Sequence, residues 1–306
     1  MKGDRIAVID LGSNTFHLLI SELVEDGLWT RLLSERDYVK LAQGGMNLID
    51  ENGIQRAINA MLHFKSLINS YKVSHVRAIG TAALRESQNG LMVAEMLSSV
   101  SGIQIEIIDG QKEAKYILDG IRSALPYLNR FGLIMDIGGG SVEFILFKGD
   151  HVAFSESYKI GVAILYNMYH RSDPIKEIEI EQLETELDSQ LQALKKALKK
   201  TSPYFLIGAS GSFEILHDVL PIKISGDHWA ELDLSGIENI LNKVIIADLK
   251  SRQNMPEIPA ERHDYVVVAY ILIRYLIKIA PPQKLYYCDF AMKEGVIQEM
   301  INQINL

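Results

Sequence analysis

The sequence has almost no cysteine: Cys288 is the single one in 306 residues. No intrachain disulfide can form, and the composition fits a reducing compartment. It also lacks an excess of positive charge. With 31 Lys and Arg against 39 Asp and Glu, the net charge is −8, which excludes the extended basic surface of a general nucleic-acid binder. An anionic ligand stays possible, because a few local cations, backbone N–H groups or a metal can invert the field in one cleft. No apolar run has membrane-spanning length. The most apolar stretch, YVVVAYILIRYLIKIA (265–280), is broken by Arg274 and Lys278 and falls short of the roughly 20 residues a span requires, so it reads as a buried helix. No signal peptide is expected either, since the apolar run after Lys2 and Arg5 is cut by Asp10, Ser13 and Asn14. A cytoplasmic location follows as the expectation, with no low-complexity segment or linker.

What is present is ample core material and a repeat. Hydrophobic residues make up 48%, and the length exceeds what one core usually serves, so two domains are expected. DLGSNT (10–15) and DIGGGS (136–141) share a pattern: Asp, aliphatic, Gly, two small residues, hydroxyl. Each lies in a strand–phrase–strand–turn–strand context, FHLLISEL-VEDG-LWTRLLSERD after the first and VEFILF-KGD-HVAFSESYKI after the second. This is duplication of a supersecondary unit rather than a tandem array.

Other stretches give a coarse element map. Residues 51–71 carry helical spacing, HVRAIGTAAL begins as a strand, GLMVAEMLSSV is helical and IQIEIID (103–109) alternates as a strand. GQKEAKYILDGIRSAL (110–125) reads as loop then helix. Residues 177–200 read as a single helix entered near Asp173-Pro174, acidic early and basic late, with a solvated charged face and no chemistry. YFLIGASGS (204–212) is a strand running into a Gly/Ser turn, 226–259 reads as mostly helical, and the C-terminus as strand, turn, helix. Strands alternating with helices after a duplicated opening indicate an α/β protein of two related lobes.

Small residues between strands let backbone N–H groups approach a ligand and form an anion-binding nest. The Ser or Thr adds a donor, and the leading Asp suits a hard divalent cation. Either loop alone reads more simply as a tight hairpin; two copies in matching contexts favour phosphate. At this point the sequence resembles a known family. AVIDLGSNTFHLLI, AIGTAALRESQNG, IEIIDGQKEAKYILDGI, LIMDIGGGSVEF and FAMKEGVI are similar to motifs of the exopolyphosphatase and guanosine pentaphosphate phosphatase (Ppx/GppA) family, within the sugar kinase, actin and Hsp70 superfamily, and the resemblance covers essentially the whole chain.

The resemblance implies an α/β fold of two duplicated actin-like (ribonuclease H-like) lobes with a cleft between them. Lobe I would span 1–121, completed by a C-terminal helix at 293–306, and lobe II 122–292. It implies that Asp10, Gly12, Ser13, Asn14 and Thr15 form one phosphate loop, and Gly138, Gly139, Gly140 and Ser141 the other. Asp136, with Asp10, would hold Mg²⁺ or Mn²⁺, Asp136 being the better placed. Arg85 matches a phosphate-contacting Arg and Glu113 the Glu that activates water. Gly208, Ser210 and Gly211 lie where related kinases place an adenosine loop. Without the resemblance, Glu113 would read as a first-turn carboxylate favoured by the helix dipole and Arg85 as a surface residue. His17 reads as structural and Cys288 as a small buried hydrophobe.

The implied activity is Mg²⁺-dependent release of terminal phosphate from polyphosphate, or of the 5′-γ-phosphate from guanosine pentaphosphate. The alternatives are a non-catalytic alarmone or polyphosphate binder and, last, an ATP-dependent kinase or ATPase. A homodimer is implied at family level, as is a core-only member without the additional C-terminal helical domains. The chain departs from the family pattern at Lys112, Asp109, Ala42, Lys293 and the Ser-Gly-Ser at 210–212. Lys112 would either repel a metal or contact a polyanionic substrate.

Overall fold

In a computed structural model, the described residues are 3–24, 28–126, 128–209 and 211–304. Ser210 and most of the expected turn after Val24 lie outside them. The chain divides into two compact units, Met1–Gly120 with Met292–Leu306, and Ile121–Ala291.

The first unit opens with β1 (Arg5–Leu11), β2 (Phe16–Leu23) and β3 (Trp29–Asp37), followed by α1 (Glu51–Ser70), β4 (His75–Gly80), α2 (Ala82–Glu86), α3 (Gly90–Ser101), β5 (Ile105–Ile107) and α4 (Gly110–Ala124). Its five-stranded sheet has the order β3-β2-β1-β4-β5. β1 is antiparallel to β2 and parallel to β4, and β4 is parallel to β5. Ile6 to Ile9 are fully buried, the unbroken apolar run expected of a central strand covered on both faces. Helix α1 is capped by the Asp50 carboxylate, which accepts from Gly53 N at 2.6 Å. It buries Ala57, Ala60, Met61, Phe64 and Ile68 on one stripe. Helix α4 starts directly at Gly110, without the expected leading loop, because Asp109 Oδ1 accepts from Lys112 N at 2.8 Å and caps it.

The second unit continues with β6 (Gly132–Ile137), β7 (Val142–Lys148), β8 (His151–Tyr158), α5 (Val162–Tyr169), α6 (Glu177–Gln190), α7 (Gln192–Lys200), β9 (Phe205–Gly208), α8 (Gly211–Val219), β10 (Ile222–Ser225), β11 (Trp229–Leu232), α9 (Ile237–Ile245), α10 (Leu249–Gln253), α11 (Val266–Ile279) and β12 (Lys284–Cys288). The chain then re-enters the first unit as α12 (Met292–Ile304). Its sheet runs β10-β11-β12-β9-β6-β7-β8. The five strands β8-β7-β6-β9-β12 repeat the order and directions of the first sheet. The fold is thus an actin-like α/β lobe present twice.

Helix α11 is apolar on all sides and is the expected buried helix: Val266 through Ile273 are at most 2% exposed. Among the described residues no helix is long and apolar enough to cross a membrane.

Two sequence expectations are corrected here. Residues 177–200 form two helices, broken at Leu191 (φ −91°, ψ 24°). The apolar stripe Leu183, Leu187, Leu194, Leu198 is buried throughout, but α6 packs on α5 and α11 whereas α7 packs on β8, so the helix bends to follow two surfaces. The stretch after Gly226 contains a strand where helix was expected. WAEL pairs with β12 on one side and β10 on the other, and tertiary pairing decides a segment too short to carry a periodic signal.

Candidate functional site

In each unit the candidate residues leave the sheet at the carboxyl ends of its parallel strands, where open α/β sheets bind ligands. In the first unit these ends are Leu11, Gly80 and Ile107; in the second, Ile137, Gly208 and Cys288.

The two small-residue loops have the same hydrogen-bond plan. Gly12 N donates to Thr15 O at 3.2 Å and Gly138 N to Ser141 O at 2.9 Å, closing equivalent four-residue turns. Loop carbonyls are taken up by the segment following the third strand. Lys40 N donates to Asn14 O at 2.8 Å and Ala42 N to Ser13 O at 3.0 Å. Val162 N donates to Gly138 O at 3.0 Å and Ala163 N to Gly139 O at 2.9 Å. Among the described residues, the amides of Ser13, Asn14, Gly139 and Gly140 donate no hydrogen bond. Carbonyls engaged and successive N–H groups unused are the donor arrangement that an anion-binding nest requires. The buried Ser13 hydroxyl also has no protein partner among the described residues, a group that a phosphate oxygen would satisfy.

Asp10 and Asp136 occupy the same position, one residue before the end of β1 and β6, and pair across the ladder with His17 and Glu143. Glu143 escaped the sequence reading. It is 2% exposed, and its Oε1 accepts from Ser157 Oγ at 2.7 Å. The signal was an acidic residue inside the apolar strand VEFILF, which is costly unless it serves a cation or a hydrogen-bond network. Among the described residues no group of three or more His, Cys, Asp and Glu gathers that could hold a metal. Mg²⁺ needs only one or two carboxylates, with water and phosphate oxygens completing its shell. Asp136 and Glu143, hard oxygen donors on facing strand positions, fit that requirement.

Arg85, at the end of α2, and Glu113, in the first turn of α4, meet directly: Arg85 Nη1 donates to Glu113 Oε2 at 2.9 Å. The same nitrogen donates to Ile108 O at 2.9 Å, and Nε donates to Glu86 Oε1 at 3.1 Å. Glu113 is 7% exposed, so the pair holds an acid and a cation in fixed rotamers beside the strand ends. Lys112 faces elsewhere. Its ammonium donates to Glu106 Oε1 at 2.5 Å, a bond that raises the Lys112 pKa. Glu106 also accepts from Arg77, and Arg77 and the Tyr116 hydroxyl both donate to Glu299 on α12.

Gly208 ends β9 and Gly211 opens α8, where the Arg262 guanidinium donates to Gly211 O and, at 3.1 Å, to Glu214 Oε2. The first unit thus brings together the 12–15 loop's sheet edge, Arg85 and Glu113. The second brings together the 138–141 loop, Asp136 and Glu143.

Comparison with known proteins gives the family and the fold. The sequence profile of the Ppx/GppA phosphatase family matches residues 19–304. A putative exopolyphosphatase of Haemophilus influenzae is 26% identical over 302 residues, covering 96% of this chain and 91% of the relative. A guanosine-5′-triphosphate,3′-diphosphate pyrophosphatase of Vibrio parahaemolyticus is 23% identical over 97% of this chain, which spans only 59% of that relative's length. The crystal structure of an exopolyphosphatase from Cytophaga hutchinsonii superposes with a TM-score of 0.92 at 32% identity, covering 98% of both chains. An Aquifex aeolicus Ppx/GppA protein shares the fold, with a TM-score of 0.80 at 22% identity over 99% of each chain.

Proposed function

The chain belongs to the Ppx/GppA phosphatase family, and from that premise we propose that it hydrolyses the terminal phosphoanhydride of inorganic polyphosphate, or the 5′-γ-phosphate of guanosine pentaphosphate. The observation that carries this reading is the twofold occurrence of one turn, closed by the same hydrogen bond and leaving the same amides unused. Each loop would engage phosphate oxygens through its unused amides.

Phosphoryl transfer asks for positioning and charge neutralisation more than covalent help. The amides of Ser13, Asn14, Gly139 and Gly140 would bind phosphate oxygens. The Arg85 guanidinium, a planar fork of donors held beside Glu113, suits the equatorial oxygens of the transferred group. Glu113 would orient a water and accept its proton as the water oxygen bonds to the terminal phosphorus. The anhydride P–O bond breaks, and its electron pair leaves on the shortened chain. Asp136 with Glu143, and Asp10 as the equivalent carboxylate of the first unit, would hold Mg²⁺ or Mn²⁺. When bound, the ion supplies Lewis-acid neutralisation of phosphate oxygens.

The test measures phosphate release from long-chain polyphosphate, guanosine pentaphosphate and ATP, with Mg²⁺ and with chelator. Glu113→Gln is expected to lower kcat by about a hundred- to ten-thousand-fold while substrate still binds. Release that persists in chelator or in Glu113→Gln overturns the mechanism. Tight binding without turnover in the wild type would instead identify a non-catalytic binder.

A further inference from the structure

Lys40 has a backbone its residue type disfavours. Its φ is +47°, in the left-handed region that a non-glycine residue disfavours. One other described non-glycine residue shares this feature, Lys72 at φ +52°. The reason there is local: Lys72 follows the last turn of α1, and its N donates to Asn69 O at 3.0 Å in a helix-ending turn. Lys40 follows a strand, and no helix end accounts for it.

Its surroundings enforce the conformation. Lys40 N donates to Asn14 O in the first phosphate loop at 2.8 Å. Arg56 clamps the same stretch from α1, Nε to Val39 O at 2.6 Å and Nη2 to Lys40 O at 2.9 Å. Gln43 N adds a bond to Lys40 O at 3.1 Å. Three hydrogen bonds to its own backbone and a fourth to the adjacent Val39 O therefore hold a strained residue one hydrogen bond away from Asn14. Glycine would meet all four at no conformational cost, so what lysine adds is its side chain. That side chain makes no hydrogen bond or ion pair among the described residues and is half-buried. A half-buried lysine with no hydrogen bond or ion pair among the described residues, on a stem rooted beside the loop's unused amides, has its charge available to an external anion.

We propose that Lys40 is a phosphate-contacting cation of the 12–15 loop, binding the polyanionic substrate and so setting affinity rather than rate. This deepens the functional reading above and rests on it. The ammonium supplies a point charge to a phosphate oxygen and takes no part in proton transfer.

The test pairs Lys40→Gly and Lys40→Asn, both neutral and both tolerant of the left-handed backbone, with the charge-retaining Lys40→Arg. Tripolyphosphate binding is measured by calorimetry with Mg²⁺ present, alongside steady-state kinetics and thermal unfolding. Both neutral variants are expected to bind about tenfold more weakly, with KM raised, kcat little changed and a weaker dependence of affinity on salt; Lys40→Arg restores affinity. Lys40→Gly should melt no lower than wild type, which separates charge loss from damage to the fold. Unchanged affinity in both neutral variants overturns the role of Lys40 while leaving the phosphatase reading intact. So does weakened binding that Lys40→Arg fails to restore. If the wild type binds tripolyphosphate without hydrolysing any substrate, the catalytic reading fails and the binding comparison still decides Lys40. If the wild type binds none, both fall.

Discussion

Arg85 and Glu113 come from different helices and meet because α2 and α4 leave the same sheet edge. Each was recognisable as a residue from its motif, but their mutual contact was not, because side-chain partners depend on where two loops return in space. Glu143 shows the opposite case: an acid in an apolar strand was in plain view, and its meaning emerged only from its register opposite Asp136. Lys112 is a third. Adjacency in sequence to Glu113 suggested an effect at the site, yet on a helix neighbouring residues face different ways, and the ammonium turns to Glu106. A residue outside the site gives a pH prediction. Burial lowers the pKa of His170, and the nearby Arg252 guanidinium lowers it further, against weaker opposing pulls from Asp173, Glu179 and Asp264. Its Nε2 is buried without a partner among the described residues, and its ring stacks on Tyr166 at 4.8 Å. The folded pKa lies below the unfolded value, so the unfolded chain binds the proton more readily. Stability is therefore full above about pH 6.5 and declines as pH falls toward the folded pKa. Thermal unfolding followed from about pH 7 to pH 5 should show this decline, and His170→Phe, which keeps an aromatic ring against Tyr166, should flatten it. An equally steep decline in the variant would assign the effect to other groups.

At the scale of elements, the 138–141 loop of the second unit depends on what lies beneath it. Gly161 caps α5, and a Cβ there would stand 2.4 Å from backbone atoms of Gly139 and Gly140. Its φ of −61° suits any residue, so the requirement for glycine is purely one of space. Gly161→Ala is expected to keep the circular dichroism of a folded protein but to reduce phosphate release by about a hundredfold, as the displaced loop loses its geometry. Full activity in that variant would show that the loop tolerates displacement. Elements with long, periodic or uniformly apolar patterns, α1, α11 and the strands flanking both loops, were readable from sequence. The break at Leu191 and the strand at Trp229–Leu232 were not. The first keeps its apolar stripe across the bend, and the second has four residues whose conformation is decided by neighbours on either side.

For the whole molecule, duplication is the ruling feature, and the repeated phrases DLGSNT and DIGGGS carry it in the sequence. The edge hairpin β10–β11, which makes the second sheet larger, carried no such echo. The first unit is closed by α12, whose Gly295 packs so tightly on α4 that a Cβ would lie 1.9 Å from Tyr116 O. Glu299 of the same helix accepts from Arg77 and Tyr116. Burial alone would raise the Glu299 pKa, but these hydrogen bonds outweigh it and hold it low. Gly295→Ala should loosen the first unit selectively: hydrogen–deuterium exchange is expected to speed up in β1, β4 and α4 while β6, β7 and β9 stay protected. Uniform acceleration across both sheets would mean that the two units unfold as one. The placement of α12 also fixes an order of events during synthesis. The second unit is complete once Ala291 has been made, whereas the first, although begun at the N-terminus, waits for residues 292–306. On the ribosome, the half that is translated first is therefore the half that matures last, and its exposed β1–β4 surface must be kept from misassociation until the final helix emerges.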